Sequence, residues 1–452
     1  MNEQYDIIII GGGPAGATSA SALAEKGYQV LVLEKEKFPR DHVGESLLPY
    51  CYDIFDEIGV LEEMEKRFSR KPGVVFSSMD GESASNWCFH KVIKHPRALS
   101  FHVYRAEFDD ILLRNSEGKG AEVHEETRVV SVDLSNPERV TVKALHYHEG
   151  EKEFTGRFLI DASGQETFLP RMLGAKTSYS SLLPRVAYST HWKGAELSED
   201  LAEGSIKIVH LEGEKMGWCW LIPLKGDRLS IGVALNNDYA QKMRRQLSKT
   251  HQNWQWQLYL QEIQASPVIA KIIRNAQPWR PETVAINGDF SYYSAQKWGA
   301  NFATIGDASA FLDPVFSSGI YFAMKGALML AEGIDHRLKE GGTEELANIY
   351  KDIEGGYRLV ERLITTFYKP DSIRFDKADK AFNQSFEKME TAYSILHLIL
   401  AGDFFTNYEK YLKAIDRLRD PKNIAKYKHL IGHDDEQGKI CKVDEIMEVL
   451  HE

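Results

Sequence analysis

The chain is short of cysteine, of excess positive charge and of long apolar runs. Four cysteines (Cys51, Cys88, Cys219 and Cys441) are scattered over 452 residues with no C-x-x-C pair. That spacing offers neither a disulfide framework nor a zinc site, and it fits a reducing compartment. No stretch approaches the ~18 apolar residues of a membrane-spanning helix. The N-terminus, MNEQYDIIIIGGG, has acids at Glu3 and Asp6 and an apolar run of only four residues. A secretory signal has a basic start and a longer apolar core, so a cytoplasmic location is expected. Lys and Arg number 55 against 66 Asp and Glu, a net charge of −11. Phosphate binding needs a basic face, which argues against a nucleic-acid partner. No internal repeat or low-complexity segment is found. What remains is an ordinary globular composition, 43% hydrophobic and 27% charged, long enough for two or three packed units.

The first thirty-five residues carry the clearest chemistry. Tyr5 to Ile10 is a β-branched run that predicts a buried parallel strand. GGGPAG follows, with Gly11, Gly13 and Gly16 in G-x-G-x-x-G spacing, then a helical stretch from Ala15 to Glu25, a break at Gly27 and a second strand, YQVLVLEK. Glu34 ends that strand, eighteen residues after Gly16, with Lys35 beside it. Gly11 permits the tight turn, Gly13 admits a pyrophosphate and Gly16 lets the helix approach the strands. The helix N-terminus faces the phosphates, and an acid at the second strand's end binds ribose hydroxyls, which favours FAD or NAD over a 2′-phosphorylated cofactor. A lone glycine fingerprint is weak evidence, but here strand, loop, helix, strand and acid stand in order.

ATIGDASAFLDPVFSSGI, residues 303–320, resembles the second flavin motif of glutathione-reductase-like FAD proteins. The resemblance implies that Asp307 binds the ribityl chain and that the helix opening at Gly319 and Ile320, after Pro314, points at the flavin ring. RFLIDASGQ (157–165) is similar to the strand that closes the same domain, and Val129 falls among the cofactor-binding candidates. One dinucleotide fingerprint, not two, implies FAD without a dedicated NAD(P)H domain.

Three further motifs narrow the resemblance. VGESLLP (43–49), with Gly44, Glu45 and Ser46, resembles the Gly-Glu-Ser segment that lies beside the flavin in flavin-dependent halogenases. WCWLIP (218–223) matches their W-x-W-x-I-P signature at Trp218, Trp220, Ile222 and Pro223. DPVFSSG (313–319) matches the segment that holds the flavin edge and a halide, which implies a halide site at Ser318 and Gly319. The plainer reading of Ser318 is a helix cap. The tryptophans lie two residues apart, so they share one strand face. The family reading makes them an active-site wall, and the plain reading makes them core. Arg105 resembles the family arginine that approaches the flavin phosphates, while its alternative is a surface ion pair with Asp109.

The resemblance also gives a role to Lys71 in FSRKPGVVF. It stands twenty-five residues past Ser46, with Gly73 and an apolar strand behind it. By itself a lysine before a strand is a solvated charge. In the family a lysine so placed carries or hydrogen-bonds hypohalous acid, made from chloride or bromide by reduced flavin and oxygen. One position departs from the tryptophan-acting members, which have glutamate where this chain has Phe316. Phe-Ser-Ser-Gly is closer to the halogenases of phenols and pyrroles.

The expected fold is α/β: a glutathione-reductase-like FAD-binding Rossmann domain with an inserted β-sheet substrate domain and a C-terminal helical region. Residues 1–175 are expected to form the first part of the FAD domain, with the Lys71 segment. Residues 176–290 form the substrate-side sheet, 291–335 the closing FAD segment and 336–452 the helical region. The expected function is FADH2-dependent halogenation of an electron-rich aromatic of phenol or pyrrole type, free or bound to a carrier protein, in secondary metabolism. A separate flavin reductase supplies the reduced cofactor. The alternatives are an FAD monooxygenase or prenyl-chain reductase of the same fold, or a flavin-binding protein without catalysis. No metal is expected, and oligomeric state is not read from the sequence.

Overall fold

The computed structural model describes residues 4–288, 290–369, 375–377, 392–419 and 440–451. The strand Gln4–Ile10 lies between parallel neighbours, Val30–Leu33 on one side and Gly150–Asp161 on the other. Glu122–His124 and Phe302–Thr304 extend this parallel sheet at either end, and the strands 127–136 and 139–146 add an antiparallel flap to it. The four-isoleucine run needs cover on both faces. The Pro14–Glu25 helix, packed with Arg105–Gly118 and Gly319–Glu340, gives it that cover on one face. The turn between strand and helix is tight because a Cβ on Gly16 would lie 1.9 Å from the Gly11 carbonyl oxygen.

A second, eight-stranded sheet stands over the open end of the first. Its central strands run in the order Arg185–Lys193, Arg228–Asn236, Gly217–Leu224, Ile206–Leu211, Gly73–Ser77 and Ala84–Cys88. Gly73–Ser77, the strand directly after Lys71, therefore belongs to this sheet and pairs in parallel with Ile206–Leu211. The Gly217–Leu224 strand alternates between two cores. Trp218, Trp220 and Ile222 face the flavin-motif side, and Cys219 and Leu221 face a separate core with the Trp254–Gln264 helix. The shared orientation expected for the two tryptophans is thus present.

Beyond residue 336 the described residues are helical, as their periodicity predicts: Glu344–Phe367, Ala392–Ala401, Tyr408–Leu418 and Val443–His451. The cysteine reading needs correction. Cys88 and Cys441 form a disulfide across 353 residues of sequence, while Cys51 and Cys219 are buried thiols. Spacing could not reveal this pair, because the fold alone brings the Val443–His451 helix back to the Ala84–Cys88 strand. Among the described residues no helix is long and apolar enough to cross a membrane, and no cluster of metal-ligating side chains is present.

Candidate active site

An elongated cavity of about 350 Å³ runs from the glycine turn to the tryptophan strand. At one end it is lined by Gly11, Gly13, Ala15, Glu34, Lys35 and Val129, and at the other by Asp307, Pro314, Gly319 and Ile320. Gly16 sits behind the turn, packed on Gly11. The Glu34 carboxylate accepts backbone N–H bonds from Gly12 (2.7 Å) and Glu36 (2.8 Å), which fix it at the rim. The Pro14–Glu25 helix has no side-chain cap and no acid in its first turn, so its amides are open to an anion.

Arg105 lines the same cavity, and its ion pair with Asp109 is buried rather than on the surface. Arg105 binds both Asp109 oxygens (2.8 and 2.9 Å), and Arg40 shares that carboxylate at 2.8 Å. Burial alone would raise the Asp109 carboxyl, but the two guanidiniums hold it below its ordinary range. Arg40 also pairs with Glu36 at 3.4 Å, so the two guanidiniums sit in a charge-paired cluster at the cavity wall. At the other end burial pushes Asp307 up to about 6, against the pull of the Arg105 charge. Glycine turn, open helix start, rim acid, arginine pair and buried Asp307 together fit an FAD.

The Gly44-Glu45-Ser46 segment also lines the cavity. Glu45 accepts a bond from His191 Nε2 at 2.6 Å, and His191 Nδ1 lies 3.4 Å from Arg228. Trp218, Trp220 and Ile222 close the cavity, with the indole centroids 5.3 Å apart. Pro223 continues the strand and accepts from Ser69 Oγ at 3.2 Å. The Trp218 indole donates to Asp313 at 3.2 Å, and Asp313 also accepts from Tyr368 (2.8 Å) and lies 3.4 Å from Arg185.

Ser318 is buried immediately before the Gly319–Glu340 helix, and its side chain makes no capping bond, which removes the plain reading of that residue. Ser317 before it is left-handed (φ 54°), so the chain turns sharply into the helix start. Phe316 points away from the cavity lining into an aromatic cluster with Phe76, Phe367 and Phe375, centroids 5.6 to 6.3 Å from its own.

Lys71 is not a solvated charge. It is 1% exposed, the last residue of the short strand Ser69–Lys71, which pairs with Ser100–His102. Its Nζ donates to the Leu47 carbonyl at 2.8 Å and lies 5.5 Å from the Phe89 ring centroid. Burial pushes the amine down to about 7, a neighbouring effect of Cys51 opposing it. Lys71 does not line the FAD cavity, but Leu47 directly follows the Gly44–Ser46 segment that does.

The family model described as tryptophan halogenase matches residues 6–95 and 88–411. The chain belongs to this family of flavin-dependent halogenases. It is 32% identical over 365 residues to a flavin-dependent halogenase of Armillaria mellea, covering 78% of this chain and 69% of that one. It is 31% identical over 369 residues to the 1H-pyrrole-2-carbonyl-[peptidyl-carrier protein] brominase of Pseudoalteromonas luteoviolacea, covering 81% and 86%. Among solved structures a flavin-dependent brominase superposes with a TM-score of 0.77 at 27% identity, over 94% of this chain and all of that one.

The halogenase is therefore an FAD- and halide-using enzyme of the flavin-dependent oxidoreductase type, and its α/β fold is the expected one. Sequence reading missed several of its polar groups: Asp313, Arg185 and Tyr368 behind Trp218, and His191 on Glu45. Asp313 stood inside a quoted motif, but its partners lie in distant segments, and no spacing signal marks them.

Proposed function

We propose that this halogenase places a halogen on an electron-rich aromatic of phenol or pyrrole type, by way of hypohalous acid and Lys71. The single observation that carries this reading is the burial of Lys71 beside the Gly-Glu-Ser segment, with its amine poised near pH 7. A buried lysine with no carboxylate partner among the described residues is costly to the fold and calls for a chemical use. When bound, reduced FAD with oxygen supplies the oxidation of halide to hypohalous acid. Gly11, Gly13, Glu34, Arg105 and Asp307 hold the cofactor, and the amides of Ser318 and Gly319 hold the halide at a helix start.

The tryptophan wall keeps the aromatic substrate from the flavin. Asp313 fixes Trp218 by its indole N–H, so the wall is rigid. A neutral lysine amine is compact and nucleophilic, able to take halogen or to hydrogen-bond the acid. Phe316 packs with Phe76 and Phe367 in a buried aromatic cluster and brings no carboxylate to that position. A phenol or pyrrole brings its own electron-releasing heteroatom and has less need of that carboxylate. The likeness to a pyrrolyl-carrier brominase supports a substrate that is free or tethered to a carrier protein. The reduced flavin comes from a separate reductase, in keeping with the single dinucleotide fingerprint.

The test is oxygen oxidation of the reduced enzyme with and without bromide, followed by a screen of small phenols and pyrrole-2-carbonyl thioesters by mass spectrometry. Bromide-dependent oxidation and a product with the bromine isotope doublet are expected. Flavin reduction by NADPH without a partner, with oxygen rather than halogen in the product, would replace this reading by a monooxygenase.

A further inference from the structure

The strand pairing around Lys71 places a set of polar atoms that no described residue partners. Lys71 pairs with Ser100 and Ser69 with His102, while Ser46 bridges His102 from the other side. Residues directly opposite share a face, as do residues two apart. Lys71, Ser100, His102 and Ser46 therefore lie on one face of a three-segment patch, with Ser100–His102 in the middle. Arg70 and Phe101 take the opposite face, where the guanidinium covers the ring at 4.5 Å. The Lys71 amine bonds Leu47 on the far segment, so its side chain lies across Ser100 and His102.

Three side-chain polar groups thus share this face with the amine, and each has an atom without a partner among the described residues. Ser46 Oγ, Ser100 Oγ and His102 Nδ1 are buried without a hydrogen-bond partner among the described residues. Ser100 and His102 are at most 1% exposed. His102 Nε2 lies 2.8 Å from the Gly204 carbonyl, which accepts only a donor, so Nε2 carries the proton and Nδ1 is a bare acceptor. Burial and then the Lys71 charge push the imidazole down to about 3, so it is neutral. Unmatched buried polar atoms are costly and point to a guest that satisfies them. Ser46 also lines the FAD cavity, so the patch adjoins it through this one residue.

We propose that Ser46, Ser100 and His102 form a docking pocket for hypohalous acid beneath Lys71, in which His102 Nδ1 accepts the acid's O–H. This rests on the halogenase chemistry proposed above and adds the residues that orient the acid. With its O–H on Nδ1, the acid turns its halogen toward the amine. The nitrogen lone pair attacks the halogen, and the N–X bond forms as the O–X bond breaks. The O–X pair stays on oxygen, which takes a proton from the nitrogen and leaves as water. The two serines hold the acid and then the departing water.

The experiment uses the FAD-loaded enzyme with photoreduced FAD, oxygen and bromide, and no aromatic substrate. Oxidised bromine kept on the desalted protein is titrated with iodide, and the escaping fraction is captured by a thiol fixed to beads. Wild type is expected to keep close to one oxidised bromine per chain above the background of Lys71→Met. His102→Gln keeps a donor for Gly204 but lacks the Nδ1 acceptor, and its retained fraction is expected to fall at least fivefold. His102→Asn restores an acceptor near Nδ1 and is expected to regain at least half. Full retention in His102→Gln, or a loss there with no recovery in His102→Asn, overturns the assignment. Absence of oxidised bromine from both wild-type pools would instead remove the halogenase reading beneath it.

Discussion

The Lys71 amine donates to the Leu47 carbonyl oxygen at 2.8 Å, across the Ser100–His102 strand that separates them. This bond ties the FSRKPGVVF segment to the Gly-Glu-Ser segment that lines the FAD cavity. It brings together two stretches twenty-five residues apart in the sequence. The amine is held at the edge of the flavin's chamber without entering it.

That placement has a thermodynamic cost with a definite pH dependence. Desolvation lowers Lys71 from its ordinary 10.5 to about 7. Between those two values the unfolded chain holds a proton that the folded chain has released, so stability rises with pH across this window. Below pH 7 the penalty is present in full, roughly 3–5 kcal/mol. Lys71→Met removes it. The variant is expected to be more stable than wild type at pH 6, with the advantage shrinking toward pH 10. Denaturant titrations at pH 6, 8 and 10 measure the difference, and an advantage that does not change with pH would contradict the burial argument.

The cofactor turn admits a sharp steric test. Gly16→Ala sets a Cβ 1.9 Å from a backbone oxygen that has no room to retreat. The purified variant is expected to carry less than a tenth of the wild-type flavin, read by absorbance after denaturation. Near-stoichiometric flavin would show that the helix can shift away from the turn.

The halide position is testable by diffraction. Crystals soaked in bromide should show an anomalous peak at the amides of Ser318 and Gly319. These stand at the start of a 22-residue helix, where the amides and the dipole favour an anion. Peaks confined to the protein surface would dismiss this site.

The Cys88–Cys441 disulfide closes 353 residues of chain and holds Cys441, just before the Val443–His451 helix, beside Gly73, two residues from Lys71. Cys441→Ser is expected to cost about 2–4 kcal/mol of stability and to leave the Cys88 thiol available for labelling in native conditions. An unchanged denaturation midpoint would mean that the tether contributes little.

The sequence was most legible where chemistry is written in consecutive residues. The strand, turn and helix of the glycine fingerprint and the two-residue period of Trp218 and Trp220 follow local rules, while the Gly-Asp segment was read through a resemblance. Lys71 was legible only through its resemblance to a family, since no local rule distinguishes a buried lysine from a solvated one. The docking face of Ser46, Ser100 and His102 was not legible at all, because it depends on strand register between three separate segments. The same holds for Cys88 with Cys441, and for Asp313, whose partners Arg185, Trp218 and Tyr368 come from three distant elements. Residues 378–391 and 420–439, which belong to the expected helical region, lie outside the described residues.

The central claim is that Lys71 acts at halogen transfer and not at flavin oxidation. The measurement is a partition: oxidised halogen captured by an external thiol against halogenated product, in wild type, Lys71→Met and Lys71→Arg. Both variants are expected to bind FAD and release oxidised halogen at close to the wild-type total, while product falls at least a hundredfold. Arginine keeps the charge but lacks the compact nucleophilic nitrogen. Product within a few-fold of wild type in Lys71→Met would contradict the account and return this lysine to a purely structural place.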